Sequence, residues 1–178
     1  MVDNRRIRNG IVVLVGVFFL TACAGSKVSL TQPLAHSPQS ISRIAIAPGS
    51  GVLGEAISVE LFNRGLTVID SNEATTILAR AGLKEFEVTS SQGFAALQEK
   101  GIDAVPAAKA VDAKDGTPES ASVRITNTSG GHIIAAITWQ NGWGGQRGSV
   151  MDRVMRKNLS ETANEIAGEL IKRLNHNY

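Results

Sequence analysis

The chain has one cysteine, few aromatic residues and no apolar run long enough to span a bilayer as a helix. Because Cys23 is the only cysteine among the 178 residues, no internal disulfide can form. Aromatic residues make up 4% of the sequence, so the core must be built mostly from Ala, Val, Ile and Leu. The apolar run at residues 11–20 is about half of the roughly 20 residues that a transmembrane helix needs. A permanent transmembrane helix is therefore not expected.

The first 23 residues have the pattern of a bacterial lipoprotein signal. Three arginines within the first nine residues precede the short apolar run, as in a secretory signal. The run ends in Leu20-Thr-Ala-Cys23, which resembles the lipobox, where a branched residue and two small ones precede an obligatory cysteine. This predicts cleavage between Ala22 and Cys23, and diacylglycerol plus an N-acyl lipid (palmitate, for example) on Cys23. The alternative is a buried cysteine after a short core strand.

Lipidation of Cys23 also predicts where the protein resides. A lone thiol in an oxidising compartment would be a liability, and acylation removes it. Ala24 follows the cysteine, whereas an Asp at that position would resemble an inner-membrane retention signal in enteric-type bacteria. We therefore expect attachment to the periplasmic face of the outer membrane, with the inner membrane as the alternative.

Charge and length predict one neutral domain after processing. Residues 1–22 hold three of the 18 basic and one of the 16 acidic residues, so the mature chain has 15 of each. A nucleic-acid partner is not expected, because the basic footprint of such binders is missing. Residues 23–40 are rich in Ser, Pro, Gln and Thr and are predicted to form a lipid anchor and flexible tether. Residues 41–178 then form a single periplasmic domain.

The hydrophobic pattern of this domain predicts an α/β (α+β) fold in the order β-α-β-α-α-β-β-β-α. Predicted strands cover residues 43–47, 66–69, 102–111, 120–126 and 132–139; predicted helices cover residues 54–63, 71–81, 92–100 and a long C-terminal stretch from 149. Residues 83–90 are ambiguous. The result is a mixed sheet of about five strands with helices packed on it.

Two local signals refine this prediction. The turn at residues 127–131 has residues that tolerate positive φ, so strands 120–126 and 132–139 should form a hairpin. Pro106 cannot donate to a strand ladder, which predicts an edge position or a bulge for its strand. In the last helix, Ser149 and Asp152 resemble a capping box, and apolar residues from Met151 to Leu174 recur near the helical period.

The segments IAIAP, LGEAISVELFNRGLTVID, LQEKGIDAV and SVRITNTSGGHIIAAITW together resemble a periplasmic α/β lipoprotein module. This module occurs in the curli secretion-channel lipoprotein, the lipoprotein activators of penicillin-binding proteins and the Pel polysaccharide lipoprotein. It is also similar to the N-terminal domain of the Tol system's propeller protein. The resemblance covers roughly residues 41–174. It implies the fold, the lipid anchor and a role in protein assembly, with no catalytic residue and no cofactor beyond the lipid on Cys23. The sequence lacks the long amphipathic hairpins of the curli channel, so pore formation is not expected.

The segment from Trp139 to Ser149 contains both tryptophans and four glycines. Its glycine spacing fails the dinucleotide and P-loop fingerprints. Three interpretations stay open: a structural loop over the core, a protein interface and a sugar site. Exposed Trp and Arg often anchor interfaces, and Trp139 alternates with core positions, so Trp143 is the better interface candidate. The residues predicted to contact a partner are Trp143, Gln140, Asn141, Arg147, Arg153 and Arg156.

No enzymatic or metal site is predicted, because the three histidines lack partners at ligand spacing and no nucleophile has a recognisable context. The favoured function is a non-catalytic accessory, assembly or scaffold subunit of an envelope machine for secretion, export or surface structures. Its expected partners are the membrane, other envelope proteins and possibly further copies of the chain. The alternatives are a regulator of peptidoglycan synthesis, and a carbohydrate-binding or hydrolytic domain that uses the Trp-Gly loop.

Overall fold

A computed structural model describes residues 25–31, 40–142 and 148–175. The predictions for Cys23, Ala22, Trp143 and Arg147 therefore lie outside the described residues, as does the side chain of Arg153. The described chain divides into two compact units. The larger runs from Ser26 to Asn141 and resumes at Lys157, and the smaller includes Gly148–Arg156.

The larger unit is built on one sheet of six strands. The strands are β1 (Lys27–Thr31), β2 (Arg43–Ala45), β3 (Thr67–Ile69), β4 (Ala104–Asp112), β5 (Pro118–Asn127) and β6 (Ile133–Gln140). Their order in the sheet is β1-β6-β5-β4-β2-β3. The β1-β6, β6-β5 and β5-β4 pairs are antiparallel, while β2 runs parallel to β3 and β4. The predicted mixed α/β fold is thus confirmed.

Five α-helices and one 3₁₀ turn are described. The helices are α1 (Gly51–Asn63), α2 (Ser71–Arg80), α3 (Ser91–Gln98), α4 (Val150–Met155) and α5 (Leu159–Asn175), and the 3₁₀ turn covers Glu85–Thr89, within the ambiguous stretch. Asp70 caps α2, because its carboxylate accepts a hydrogen bond from the Glu73 N–H at 2.8 Å. The sequence allows either Asp70 or Ser71 as this cap, and the structure shows that it is Asp70.

The sheet carries a separate apolar core on each face. On one face, α1 and α5 pack on the central strands, with Leu61, Ile125, Trp139 and Ile166 almost fully buried. On the other, α2, the 3₁₀ turn and α3 cover β2, β3 and the start of β4. Beyond those helices the second face is polar, and side chains such as Ser122, Arg124 and Thr138 are exposed.

The hairpin between β5 and β6 forms as predicted. Its turn is held by a hydrogen bond from the Gly131 N–H to the Asn127 carbonyl at 2.9 Å, and Gly131 takes a φ of 66°. The Asn127 side chain accepts a second bond from the Ser129 N–H at 2.6 Å. Trp139, predicted to belong to the core, is 1% exposed.

The predicted flexible tether is wrong for residues 27–31, which form β1 and give the sheet six strands rather than five. β1 pairs along its whole length with β6, in a register that places Lys27 opposite Gln140 and Val28 opposite Trp139. Val28 is half-buried and packs against the core under α5. The pairing with β6, rather than a local signal, makes the segment a strand.

The prediction that Pro106 marks an edge or a bulge is also wrong. β4 lies between β5 and β2, and its register with β5 is continuous at Pro106, which faces Ile125. The irregularity lies between Val111 and Asp112. Pro106 is tolerated at this position because β2 ends at Ala45. The Pro106 carbonyl still accepts a hydrogen bond from the Ala47 N–H at 2.9 Å.

The predicted single C-terminal helix is two helices. α4 ends at Met155, and Asn158 begins α5 with a reciprocal cap. The Asn158 side chain accepts from the Glu161 N–H at 3.0 Å, and the Glu161 carboxylate accepts from the Asn158 N–H at 2.9 Å. The apolar stripe of α5 is buried as predicted, but Met151, assigned to the same stripe, is 53% exposed.

Candidate functional site

A half-buried carboxylate joins the two ends of the chain at one corner of the sheet. Glu165 on α5 accepts hydrogen bonds from Trp139 Nε1 at 2.8 Å and Lys157 Nζ at 2.7 Å. The Ser26 hydroxyl also donates to the Glu165 carboxylate, at 2.7 Å from one oxygen and 2.9 Å from the other. Ser26 immediately precedes β1 and is three residues from Cys23. We call Ser26, Trp139, Lys157 and Glu165 the corner cluster.

The electrostatics of the cluster favour the charged form of Glu165. Burial raises the pKa of this carboxyl, but the hydrogen bonds from Lys157, Trp139 and Ser26, with the charge of Lys157, outweigh burial. The pKa of Glu165 is therefore lowered below its ordinary value. The carboxylate is a fixed acceptor that holds three other segments, and it would be a poor proton donor at neutral pH.

Next to the cluster, the Asn141 side chain joins the two residues that flank positions 142–156. The Asn141 Nδ2 group donates to the carbonyls of Pro118 and Lys157 at 2.8 and 2.9 Å. Its Oδ1 atom accepts from the Lys157 N–H at 3.0 Å. Asn141 and Lys157, the residues on either side of positions 142–156, are therefore held next to each other.

The smaller unit has its own local order. The Ser149 hydroxyl accepts from the Asp152 N–H at 3.1 Å, and the Asp152 carboxylate accepts from the Gly148 N–H at 2.8 Å. Arg156 Nε donates to Asp152 at 3.2 Å. The predicted cap is present, although the carboxylate reaches Gly148 rather than Ser149. α4 leaves Val150 and Val154, one turn apart, 80% and 76% exposed.

A second exposed apolar surface lies on α1. Val52, Val59 and Phe62 follow one another at helical spacing and are 72%, 58% and 65% exposed. The opposite face of α1 is buried against the sheet and α5 through Leu53, Ile57 and Leu61, among others. This helix is therefore apolar on both its inner and its outer face. The three outward residues are called the α1 stripe below.

The side chains of three of the six predicted contact residues are described: Gln140, Asn141 and Arg156. Gln140 is exposed at the end of β6, opposite Lys27. Asn141 is half-buried, with its amide committed to Pro118 and Lys157. Arg156 is paired with Asp152, and its side chain is 14% exposed. These contacts give Asn141 and Arg156 structural roles.

Sequence reasoning missed Glu165, Ser26 and the α1 stripe. The sequence does contain a sign of the stripe, because Val59 and Phe62 are apolar at positions where a half-buried helix usually carries polar residues. Glu165 left none, since its partners Ser26 and Trp139 are 139 and 26 positions away along the chain. Within the described ranges no cluster of three or more His, Cys, Asp or Glu residues could hold a metal ion. No helix in that part of the chain is long and apolar enough to cross a membrane.

The chain is similar to several solved structures at low sequence identity. The PelC dodecamer from Paraburkholderia phytofirmans has 12% identity and a TM-score of 0.48, covering 84% of this chain and 96% of that one. Lipoprotein GNA1162 from Neisseria meningitidis has 16% identity and a TM-score of 0.46, covering 73% and 99%. The LpoB C-terminal domain from Salmonella enterica has 16% identity and a TM-score of 0.43, covering 58% and 84%.

These structures include modules of the type that the sequence resembles. No protein-family model matches the chain, and no curated protein matches it either.

Proposed function

We propose that the chain is a non-catalytic, lipid-anchored accessory subunit of an envelope assembly for secretion, export or a surface structure. The observation that carries the proposal is the α1 stripe. α1 exposes three large apolar side chains opposite its buried face, and apolar surface that a helix leaves exposed is a common feature of protein interfaces. The stripe therefore supports a protein partner, either another envelope protein or a second copy of the chain.

The proposed anchor is acylated Cys23, on the periplasmic face of the outer membrane. Cys23 is three residues before Ser26, so the two Cα atoms can be no more than about 11 Å apart. Ser26 is bonded to Glu165 and β1 follows at once, so the link to the folded unit is short. This short link supports a partner at the same membrane, and it speaks against a regulator that must reach across the peptidoglycan.

The test of partner binding is photo-cross-linking in cells, with a photoreactive amino acid at Val59 in the full-length chain. We expect a discrete cross-linked product, identified by mass spectrometry as an envelope protein or as a second copy. Phe62→Ser should abolish the product and the corresponding complex in mild detergent. The matched control is Phe86→Ser, since Phe86 is 75% exposed and lies in the 3₁₀ turn on the other side of the sheet. Loss of the complex in both variants, or in neither, would contradict the proposal.

The anchor needs its own measurement. The intact mass of the protein from the membrane fraction should correspond to a chain that starts at Cys23 and carries acyl groups. Cys23→Ser should block acylation and release the chain from the membrane fraction. The other predicted contacts, Trp143, Arg147 and Arg153, remain proposals that alanine variants can test in the cross-linking assay.

A further inference from the structure

Across β4, β5, β6 and β1, the side of the sheet turned away from α1 and α5 is polar and exposed. One row of facing residues crosses these four strands: Lys109, Ser122, Thr138 and Ser29. Lys27 on β1 and Arg124 on β5 each stand two positions from this row, so they lie on the same side of the sheet. All these residues are exposed and belong to the larger unit. We call this surface the open face.

The cations of the open face are not neutralised by the chain itself. None of the ion pairs among the described residues involves Lys27, Lys109 or Arg124. The nearest acidic residue along β4, Asp112, lines the groove at the start of α1 and not the open face. After the predicted cleavage site, the residues outside the described ranges contain no Asp or Glu at all. The positive charge of the open face is therefore available to an anionic partner.

Between Lys27 and Lys109 the open face forms a shallow depression of about 390 Å³. Hydroxyl and amide groups line much of it, and they belong to Ser29, Ser120, Ser122, Thr138 and Gln140. Its volume lies within the range of sites that hold small ligands. The two lysines stand three strand spacings apart, or about 14 Å across the sheet. A ligand with several spaced anionic groups suits this arrangement better than a single small anion.

We propose that the open face binds an acidic polysaccharide. Lys27, Lys109 and Arg124 contact its carboxylates, and the hydroxyl and amide groups between them bond to its sugar hydroxyls. The composition favours a glycan over an acidic protein, because protein interfaces are enriched in aromatic residues and depleted in Lys, Ser and Ala. The inference goes beyond the proposed function, because the α1 stripe lies on the other side of the sheet. The chain can thus hold a protein partner and a glycan at the same time.

The direct test is calorimetric titration of the full-length protein, in a non-ionic detergent, with alginate oligosaccharides, which carry a carboxylate on every sugar. Binding should weaken as NaCl rises from about 0.05 to about 0.3 M. The double variant Lys27→Gln with Lys109→Gln should bind about tenfold more weakly or worse. The matched control, Lys100→Gln with Lys172→Gln, removes two charges at exposed positions outside the open face and should bind like wild type. No binding to wild type, or an equal loss in both double variants, would overturn the proposal.

Two further measurements separate a glycan site from attraction by charge alone. Ser122→Leu keeps every charge but fills the depression, so it should weaken alginate binding about tenfold; unchanged binding would refute the site. Neutral dextran should not bind, and poly-L-glutamate should bind at least about tenfold more weakly than alginate. Poly-L-glutamate binding as tight as that of alginate, with the same dependence on Lys27 and Lys109, would replace the glycan by an acidic protein segment and overturn the proposal.

Discussion

Glu165→Ala is the substitution that most strongly tests how the ends of the chain are joined. The change removes the acceptor for Trp139 Nε1, Lys157 Nζ and the Ser26 hydroxyl together. Ser26 and Lys157 can turn to water, because both residues are partly exposed. Trp139 is 1% exposed, so its indole N–H is left without a partner in a buried position.

The expected loss of stability has two main parts. An unsatisfied buried donor costs about 1–3 kcal/mol. The Lys157–Glu165 pair, with side chains 34% and 26% exposed, contributes about 0.5–1 kcal/mol after discounting for solvent. We therefore expect the free energy of unfolding to fall by about 1.5–4 kcal/mol. With a slope of roughly 2 kcal/mol per molar, the urea midpoint should fall by about 1–2 M.

Urea unfolding followed by tryptophan fluorescence measures this loss. The matched control is Glu169→Ala, on the same helix, because its partner Lys172 is 68% exposed and the pair should contribute less than about 0.5 kcal/mol. A Glu165→Ala protein no less stable than Glu169→Ala would refute the role assigned to the corner cluster.

The same carboxyl predicts a pH dependence. Its folded pKa is lowered, so its contribution to stability is complete at neutral pH. That contribution is lost as the pH falls from the ordinary glutamate pKa of about 4.3 through the lower folded value. The stability difference between wild type and Glu165→Gln should therefore be constant near neutrality and shrink in acid. A difference that grows on acidification would contradict the assigned shift.

Three further predictions concern local packing. Gly93→Ala should lower the free energy of unfolding by about 2 kcal/mol or more, because the new Cβ would lie 2.2 Å from the Glu87 carbonyl oxygen. Gly168→Ala, in open space on α5, should raise it by about 0.5–1 kcal/mol. Thermal unfolding that ranks the two variants otherwise would refute the packing argument. Asn158→Ala should lose about 1 kcal/mol with its cap, and an unchanged urea midpoint would exclude that cap. Asn141→Ala should speed proteolytic cleavage within residues 142–156 and leave α3 protected, and equal cleavage rates would show that Asn141 does not fasten the loop.

Local signals in the sequence predicted the elements that local chemistry specifies. The turn at 127–131 predicted the β5–β6 hairpin, and the pair Asp70 and Ser71 predicted the start of α2, because glycine conformation and side-chain capping act over a few residues. β1 was missed because it becomes a strand only through pairing with β6, more than 100 residues later. The break before α5 was signalled by Asn158 and Glu161, but the apolar period running through it concealed the signal.

The candidate site was less predictable than the fold. The burial of Trp139 could be predicted, because this residue alternates with core positions of β6. Its hydrogen bond to Glu165 could not, because that bond depends on how α5 packs on the sheet. Asn141 is a residue type that often lies in surface contacts, yet its amide is hydrogen-bonded to the carbonyls of Pro118 and Lys157. Such roles are fixed by tertiary neighbours, which spacing along one chain does not specify.

The proposed anchor on Cys23, three residues before Ser26, predicts that the end of the sheet bearing Lys27 and Gln140 lies nearer the membrane than the opposite end. Energy transfer to acceptor lipids tests it, with donors on Gln140→Cys and His132→Cys in acylated protein on vesicles. Both positions are exposed and lie at opposite ends of β6, about 26 Å apart along the strand. We predict clearly stronger transfer from position 140 than from position 132. Equal transfer, or stronger transfer from position 132, would contradict the account.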